Sequence, residues 1–237
     1  MLLVALPLAA QSDIDFDPTI TEEQFATFSR LAAQSIYATP VEPARARGIF
    51  SFDVGVALTA VPVDTSAEYW RRSVPDDFTI SDYVVVPRLI ASKGLSVATI
   101  SAMYSKVPDT DIEMWGAAVD VPIIKGSIVR PTLAVRGAYS ILQGVDEFDL
   151  TTYGVEVFLS KGFGPLTPYA AVGRMQSDAE GRIAPETSSN PAVIFTDDSG
   201  INRYTIGVRL TLLFPKITVE ATQAEERSYA AKVSFGL

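Results

Sequence analysis

The sequence predicts an all-β protein, a transmembrane antiparallel up-and-down β-barrel of about ten strands with a short N-terminal helix. Three observations predict it. From residue 48 onward, apolar residues fall on every second position in one segment after another, which is the period of a strand and not of a helix. The chain is 48% hydrophobic with a mean hydropathy of +0.22, yet beyond its N-terminus no apolar run approaches the ~20 residues that a spanning helix needs. Short turns and longer acidic loops alternate along the chain, as they do when one rim of a barrel faces the periplasm and the other the outside.

Residues 1–10, MLLVALPLAA, read as the remnant of a secretory signal. They have the apolar core and small-residue end of such a signal but no basic start, which puts the mature chain near Gln11. Residues 11–47 form an N-terminal segment, expected in the periplasm. Within it, residues 21–37 predict a helix. Thr21 caps it, Gln24 stands at capping-box spacing, Glu22 and Glu23 suit the positive end, and Phe25, Phe28, Leu31 and Ile36 make the apolar stripe. Pro40 and Pro43 end it. The expected seat is the periplasmic mouth, with a plug inside the barrel as the alternative.

Residues 48–237 are read as the barrel. Phe50, Phe52, Val54, Val56 and Leu58 alternate with Ser51, Asp53, Gly55 and Ala57. DYVVVPRLIAS, LSVATISAMYS and DIEMWGAAVDVPII follow, then a fifth strand with Leu133, Val135 and Tyr139 on one face and Arg136 on the other. A sixth sets Tyr153, Val155 and Val157 against Glu156, and LTPYAAVGRM is a seventh of ambiguous facing. Three more end the chain. Two-residue and three-residue turns there would set Arg209 opposite Glu220 and Glu220 opposite Lys232.

The even-to-odd turns are short and each brings a Lys: Lys93, Lys125, Lys161 and Lys216. Residues 64–80 and 176–200 read as long loops on the other rim. Acid collects there, including Asp76, Asp77, Asp109, Asp146, Glu147, Asp149, Asp178, Glu186, Asp197 and Asp198. Carboxylates so grouped could bridge through divalent cations to lipopolysaccharide, although a solvated rim is the simpler reading. Tyr83, Trp115, Tyr139, Tyr153, Tyr204 and Tyr229 fall near the outer ends of their strands, as an aromatic girdle at the headgroup boundary does.

In a soluble sheet the apolar face is buried; in a membrane barrel it meets lipid and the charges line the lumen. Asp53, Asp120, Arg130, Arg136, Glu156, Arg209, Glu220 and Lys232 are the expected lumen network. Arg136 should face Glu156, Asp120 should lie near Arg130 across the KG turn, and Asp53 should close onto the last strand. A narrow barrel filled by such pairs does not conduct, because barrels near eight strands fill with side chains while open pores need about sixteen. A narrow channel bounded by Arg130, Arg136, Glu156 and Arg209 is the second reading, and a soluble lipocalin-like barrel the third.

A net charge of −9 without a basic cluster speaks against nucleic acid. The chain has no Cys and no His, which removes disulfides, a Ser-His triad and any His-containing zinc site. No cofactor, metal site or catalytic group is expected.

DLTTYGVEVFLSKGFGPLTPYAAVGR and the terminal SYAAKVSFGL resemble the small, porin-like outer-membrane β-barrel proteins of Gram-negative bacteria. The ending Val233, Phe235, Leu237 is similar to the signal read by their barrel-assembly machinery, although an aromatic residue usually stands where this chain has Leu237. The resemblance implies outer-membrane lipid, lipopolysaccharide and that machinery as partners. It implies architecture and no settled activity.

Overall fold

The computed structural model describes residues 14, 16–45, 47–74, 82–107, 111–127, 129–183, 192–212 and 214–236. The expected signal segment, Asp76, Asp77, Asp109, Glu186 and Leu237 lie outside them. The elements are α1 (Glu22–Ile36), β1 (Phe52–Pro62), α2 (Glu68–Arg71), β2 (Tyr83–Gly94), β3 (Thr99–Lys106), β4 (Glu113–Ile124), β5 (Thr132–Gln143), β6 (Phe148–Ser160), β7 (Leu166–Ile183), β8 (Val193–Thr211), β9 (Pro215–Gln223) and β10 (Arg227–Gly236). The strands form a closed antiparallel barrel in which each pairs with its neighbours in sequence and β1 pairs with β10. Closure leaves no free outer edge of the sheet as a whole, which is how an up-and-down barrel satisfies its ladder.

Burial along the strands alternates, and its sense is inverted relative to a soluble core. On β1, Val54, Val56 and Leu58 are about half exposed while Asp53 and Thr59 are buried. The same holds around the wall: Val155, Val157, Val219 and Val233 point out, and Arg136, Glu156, Arg203, Arg209 and Lys232 point in. On β7 the doubtful facing resolves with Tyr169 and Ala171 inward and Val172 outward. The six aromatic residues expected as a girdle all lie on the outer face, 43–56% exposed, and Tyr139 stands directly opposite Tyr153.

Two registers slide by two residues from expectation. Arg209 pairs with Thr218 and Glu220 with Gly207, because the β8–β9 turn closes with the Leu212 N–H on the Pro215 carbonyl and Pro215 already belongs to β9. Glu220 pairs with Ala230 and Lys232 with Thr218, because the last turn centres on Glu225. A slide of two leaves every side chain on its expected face, whereas a slide of one would invert the strand. Residues 176–200 are not one long loop. β7 and β8 run on as a paired hairpin as far as Ile183 and Val193, carrying Asp178, Glu180, Asp197 and Asp198 on strands. Residues 64–80 contain the one-turn helix α2.

α1 forms as the sequence implies, with both halves of its capping box made between Thr21 and Gln24. Its seat is not the expected one. β1 begins at the short-turn rim, but α1 lies in the opposite mouth, where its stripe finds apolar partners. Phe28 packs on Phe148 at 5.6 Å and Trp70 at 6.3 Å, Phe25 packs on Phe195 at 5.8 Å, and Phe16 packs on Phe25 at 5.4 Å. Phe148, Phe195 and Trp70 belong to the ends of β6 and β8 and to α2, all at the long-loop rim. Gln34 exchanges two hydrogen bonds with the backbone of Glu226 on the last turn, at 2.7 and 2.9 Å. The described chain therefore starts at one mouth and ends at the other.

Candidate functional site

Between α1 and β1 the chain must cross the barrel from mouth to mouth, and residues 37–45 and 47 lie along this path in the lumen. They are nearly all buried. Tyr37 lies under the Arg203 guanidinium, 4.4 Å from its ring centroid, Thr39 donates to Glu220 at 3.3 Å, and the Pro40 carbonyl accepts from Lys232 at 3.0 Å. The wall makes room on the glycines it turns inward: a Cβ on Gly116 would stand 2.8 Å from the Ala38 side chain. Among the described residues this segment joins no strand ladder of the barrel. Side chains of the wall, aimed at its backbone and at one carboxylate, hold it.

That carboxylate is Glu42. It accepts from Arg47 at 2.6 Å, Arg209 at 2.7 Å and Lys232 at 3.2 Å, while Arg136 donates to its carbonyl at 3.0 Å. Val41 before it adopts a left-handed backbone, φ +50, rare for a β-branched residue and costing on the order of 1–3 kcal/mol. The kink aims Glu42 at its cations; the ion pairs hold the kink. Asp53 completes the lower layer with Lys216 at 2.6 Å, Lys232 at 3.5 Å and Arg47 at 3.6 Å. Such groups in an interior of low polarity stand only as a network, since a buried charge without a partner costs several kcal/mol.

The structure gathers seven of the eight expected lumen charges. Arg136 does face Glu156 in register, but its bidentate pair is with Asp120, at 2.7 and 3.1 Å. Glu156 pairs instead with Arg203 at 3.3 Å, and Glu220 accepts from Tyr169 at 2.7 Å. Arg130 is the exception. It is exposed on the β4–β5 turn and caps the Lys125 carbonyl at 2.9 Å, so it neither meets Asp120 nor borders the lumen. Arg130 precedes the first paired residue of β5, outside the ladder, and the facing end of β4 carries a register break between Pro122 and Ile124. Sequence reasoning missed Glu42, Arg47, Arg88, Arg203 and Lys216. The last three could have been found by parity, since each shares a strand face with buried polar neighbours.

On the long-loop rim, acids meet cations of the chain itself. Arg182 donates to Asp149 at 2.7 Å and to the Asp146 carbonyl at 3.1 Å. The Arg72 hydrogen bond and the Arg71 charge hold the Glu68 carboxyl below its usual range, and the Ser66 hydroxyl and N–H do the same for Asp64. Among the described residues no group of three or more acids is placed to hold a metal.

Inverted burial and an ion-paired interior define a class, the closed antiparallel barrels whose apolar face turns outward. No family model and no curated protein matches the chain. Solved structures do. Neisserial surface protein A is 11% identical, over 78% of this chain and 96% of that one, with a TM-score of 0.33. The Acinetobacter baumannii outer membrane protein Omp33 is 5% identical over 80% and 100%, also at 0.33. Ail, the attachment invasion locus protein of Yersinia pestis, is 10% identical over 78% and 95%, at 0.29.

Proposed function

We infer that the protein is an outer-membrane barrel that its own N-terminal segment keeps closed, and that it works by its architecture and by the surface it presents at the long-loop mouth. The observation that supports this is the pairing of an apolar exterior with a lumen occupied by residues 37–45 and 47. An apolar belt bounded by aromatic rings suits a bilayer, and a soluble lipocalin-like barrel would need the opposite facing. In this reading lipid and lipopolysaccharide surround the belt, the long-loop mouth with α1 faces outside, and the C-terminal strand, with Val233 and Phe235, is what the barrel-assembly machinery receives.

A gated narrow channel is the second reading. One observation favours it: among the described residues the segment in the lumen forms no ladder with the wall and, apart from the Ser96 N–H on the Arg47 carbonyl, is held by contacts that involve side chains, so it can leave without unzipping a strand. Single-channel recording in planar bilayers tests both. The detergent-refolded full chain is expected to be silent. A variant beginning at Gly48, shown to be folded and inserted, should give discrete steps. Steady conductance by the full chain would overturn the closed-barrel reading and make transport the function.

A further inference from the structure

On the outer face of β7 to β10, rows of side chains follow one another from the apolar belt toward the long-loop rim. The lowest row is Tyr229, Ala221, Ile206 and Ala170, the next is Arg227, Gln223, Tyr204 and Val172, and above these Asn202 stands opposite Arg174. The two alanines leave a hollow in the apolar surface, floored by Ile206 and walled by Tyr229 and Tyr204. A second depression lies directly above it, lined by Ser199, Asn202 and Gln223 and by Arg30, which pairs with Glu225 at 3.3 Å. Tyr204 and Gln223 border both hollows. One groove therefore runs up the wall, apolar below and polar above.

Two cations mark its polar half. Arg227 donates to the Gln223 side-chain oxygen at 3.4 Å, and Arg174 donates to that of Asn202 at 3.3 Å. Gly200 gives the Arg174 guanidinium its place, since a Cβ there would collide with it. Both heads lean toward the groove, one from β10 over β9 and the other from β7 over β8. Among the described residues neither has an ion pair, whereas Arg30, Arg71, Arg72, Lys106 and Arg182 on the same rim all do. An amide oxygen orients a guanidinium without neutralising it and leaves further N–H donors for a second partner.

We propose that this groove seats a phosphorylated glycolipid of the leaflet at the long-loop mouth. This rests on the membrane reading above. An acyl chain lies in the hollow over Ala170 and Ala221, a phosphate takes the fork of Arg227, and sugar hydroxyls meet Asn202 and Gln223 beneath a second anionic group on Arg174. Arginine suits the task because its planar fork matches phosphate with two parallel hydrogen bonds. The backbones of the two arginines are three strands and one row apart, roughly 16 Å from strand spacing and rise. Even with both heads turned inward, that span asks for a headgroup larger than a single phosphate.

The test uses the full chain refolded in detergent, titrated calorimetrically with lipopolysaccharide lacking its polysaccharide, with phosphatidylglycerol and with inorganic phosphate. The expected result is saturable binding of the first and much weaker binding of the other two. Arg174→Gln with Arg227→Gln should weaken it about tenfold or more, and so should Ala170→Phe, which fills the hollow. Arg71→Gln, at an ion-paired arginine of the same rim, should leave it unchanged, with every variant keeping the gel mobility of a folded barrel. Equal affinity for phosphatidylglycerol or for inorganic phosphate would overturn the glycolipid assignment. Undiminished binding by the variants, or no binding by the parent, would overturn the site. Flotation of the same protein with vesicles reads the membrane separately: a chain that floats and binds no glycolipid loses this site alone, and one that does not float loses both.

Discussion

Glu42 fixes the interior more than any strand residue does. It sits in PVEPARARG, a stretch without periodicity, and pairing arguments drawn across strands had no means of finding it; they supplied Arg209 and Lys232 with Glu220 as partner instead. Physically, Glu220 lies one layer nearer the long-loop end, satisfied by Tyr169 and Thr39, and the cations below it need an acid from elsewhere. Glu42→Ala leaves Arg47, Arg209 and Lys232 buried with fewer partners, and removal of one side of such a network costs roughly 3–5 kcal/mol. Reversible urea unfolding in detergent should read a loss of that size. Arg130→Ala, at a residue that looked equivalent in the sequence, should give no measurable change. Equal effects would contradict the partition of these charges between lumen and turn.

At the scale of elements, what alternates was legible and what does not was not. Strand existence, facing and order follow from the period-2 pattern, and the helix from its cap and stripe. Turns decide register: a proline that enters β9 instead of ending the turn moved the β8–β9 pairing by two residues, and a last turn centred on Glu225 moved the β9–β10 pairing by two. The β7–β8 hairpin was hidden by its charges: Asp178 pairs directly with Asp198, an unfavourable pair for a strand that made the region read as loop. Facing is tested by Val208→Arg, which puts a guanidinium on the lipid side near mid-belt and should cost ~2–4 kcal/mol in unfolding from vesicles. Its neighbour Arg209 is buried on the opposite, inner face of the same strand. The helix seat has its own test. Thr21→Ala removes the cap and should destabilise α1 by about 1 kcal/mol, read as faster hydrogen exchange in residues 22–36 with the strands unaffected.

At the scale of the whole molecule, two charge patterns are superposed. The chain carries −9 overall, with acid gathered toward the long-loop rim, while the buried wall runs the other way. Among the described residues it holds Arg88, Arg136, Arg203, Arg209, Lys216 and Lys232 against Asp53, Asp120, Glu156 and Glu220, six cations to four carboxylates. The N-terminal segment meets several of these cations, through Glu42 and the carbonyls of Pro40 and Ser35, while bringing buried Arg47 of its own. Composition alone could not have revealed it, because the lumen is the minority of the charge. A path opened by removing the segment would therefore be lined by net positive charge despite the acidic protein around it. The variant beginning at Gly48 should pass chloride in preference to potassium, with a reversal potential under a KCl gradient displaced toward that of chloride, and Arg209→Gln with Lys232→Gln should weaken or reverse the preference. A cation-selective opening would mean that the acidic rim, and not the wall, governs the path, and that the charges around Glu42 do not lie where ions would cross.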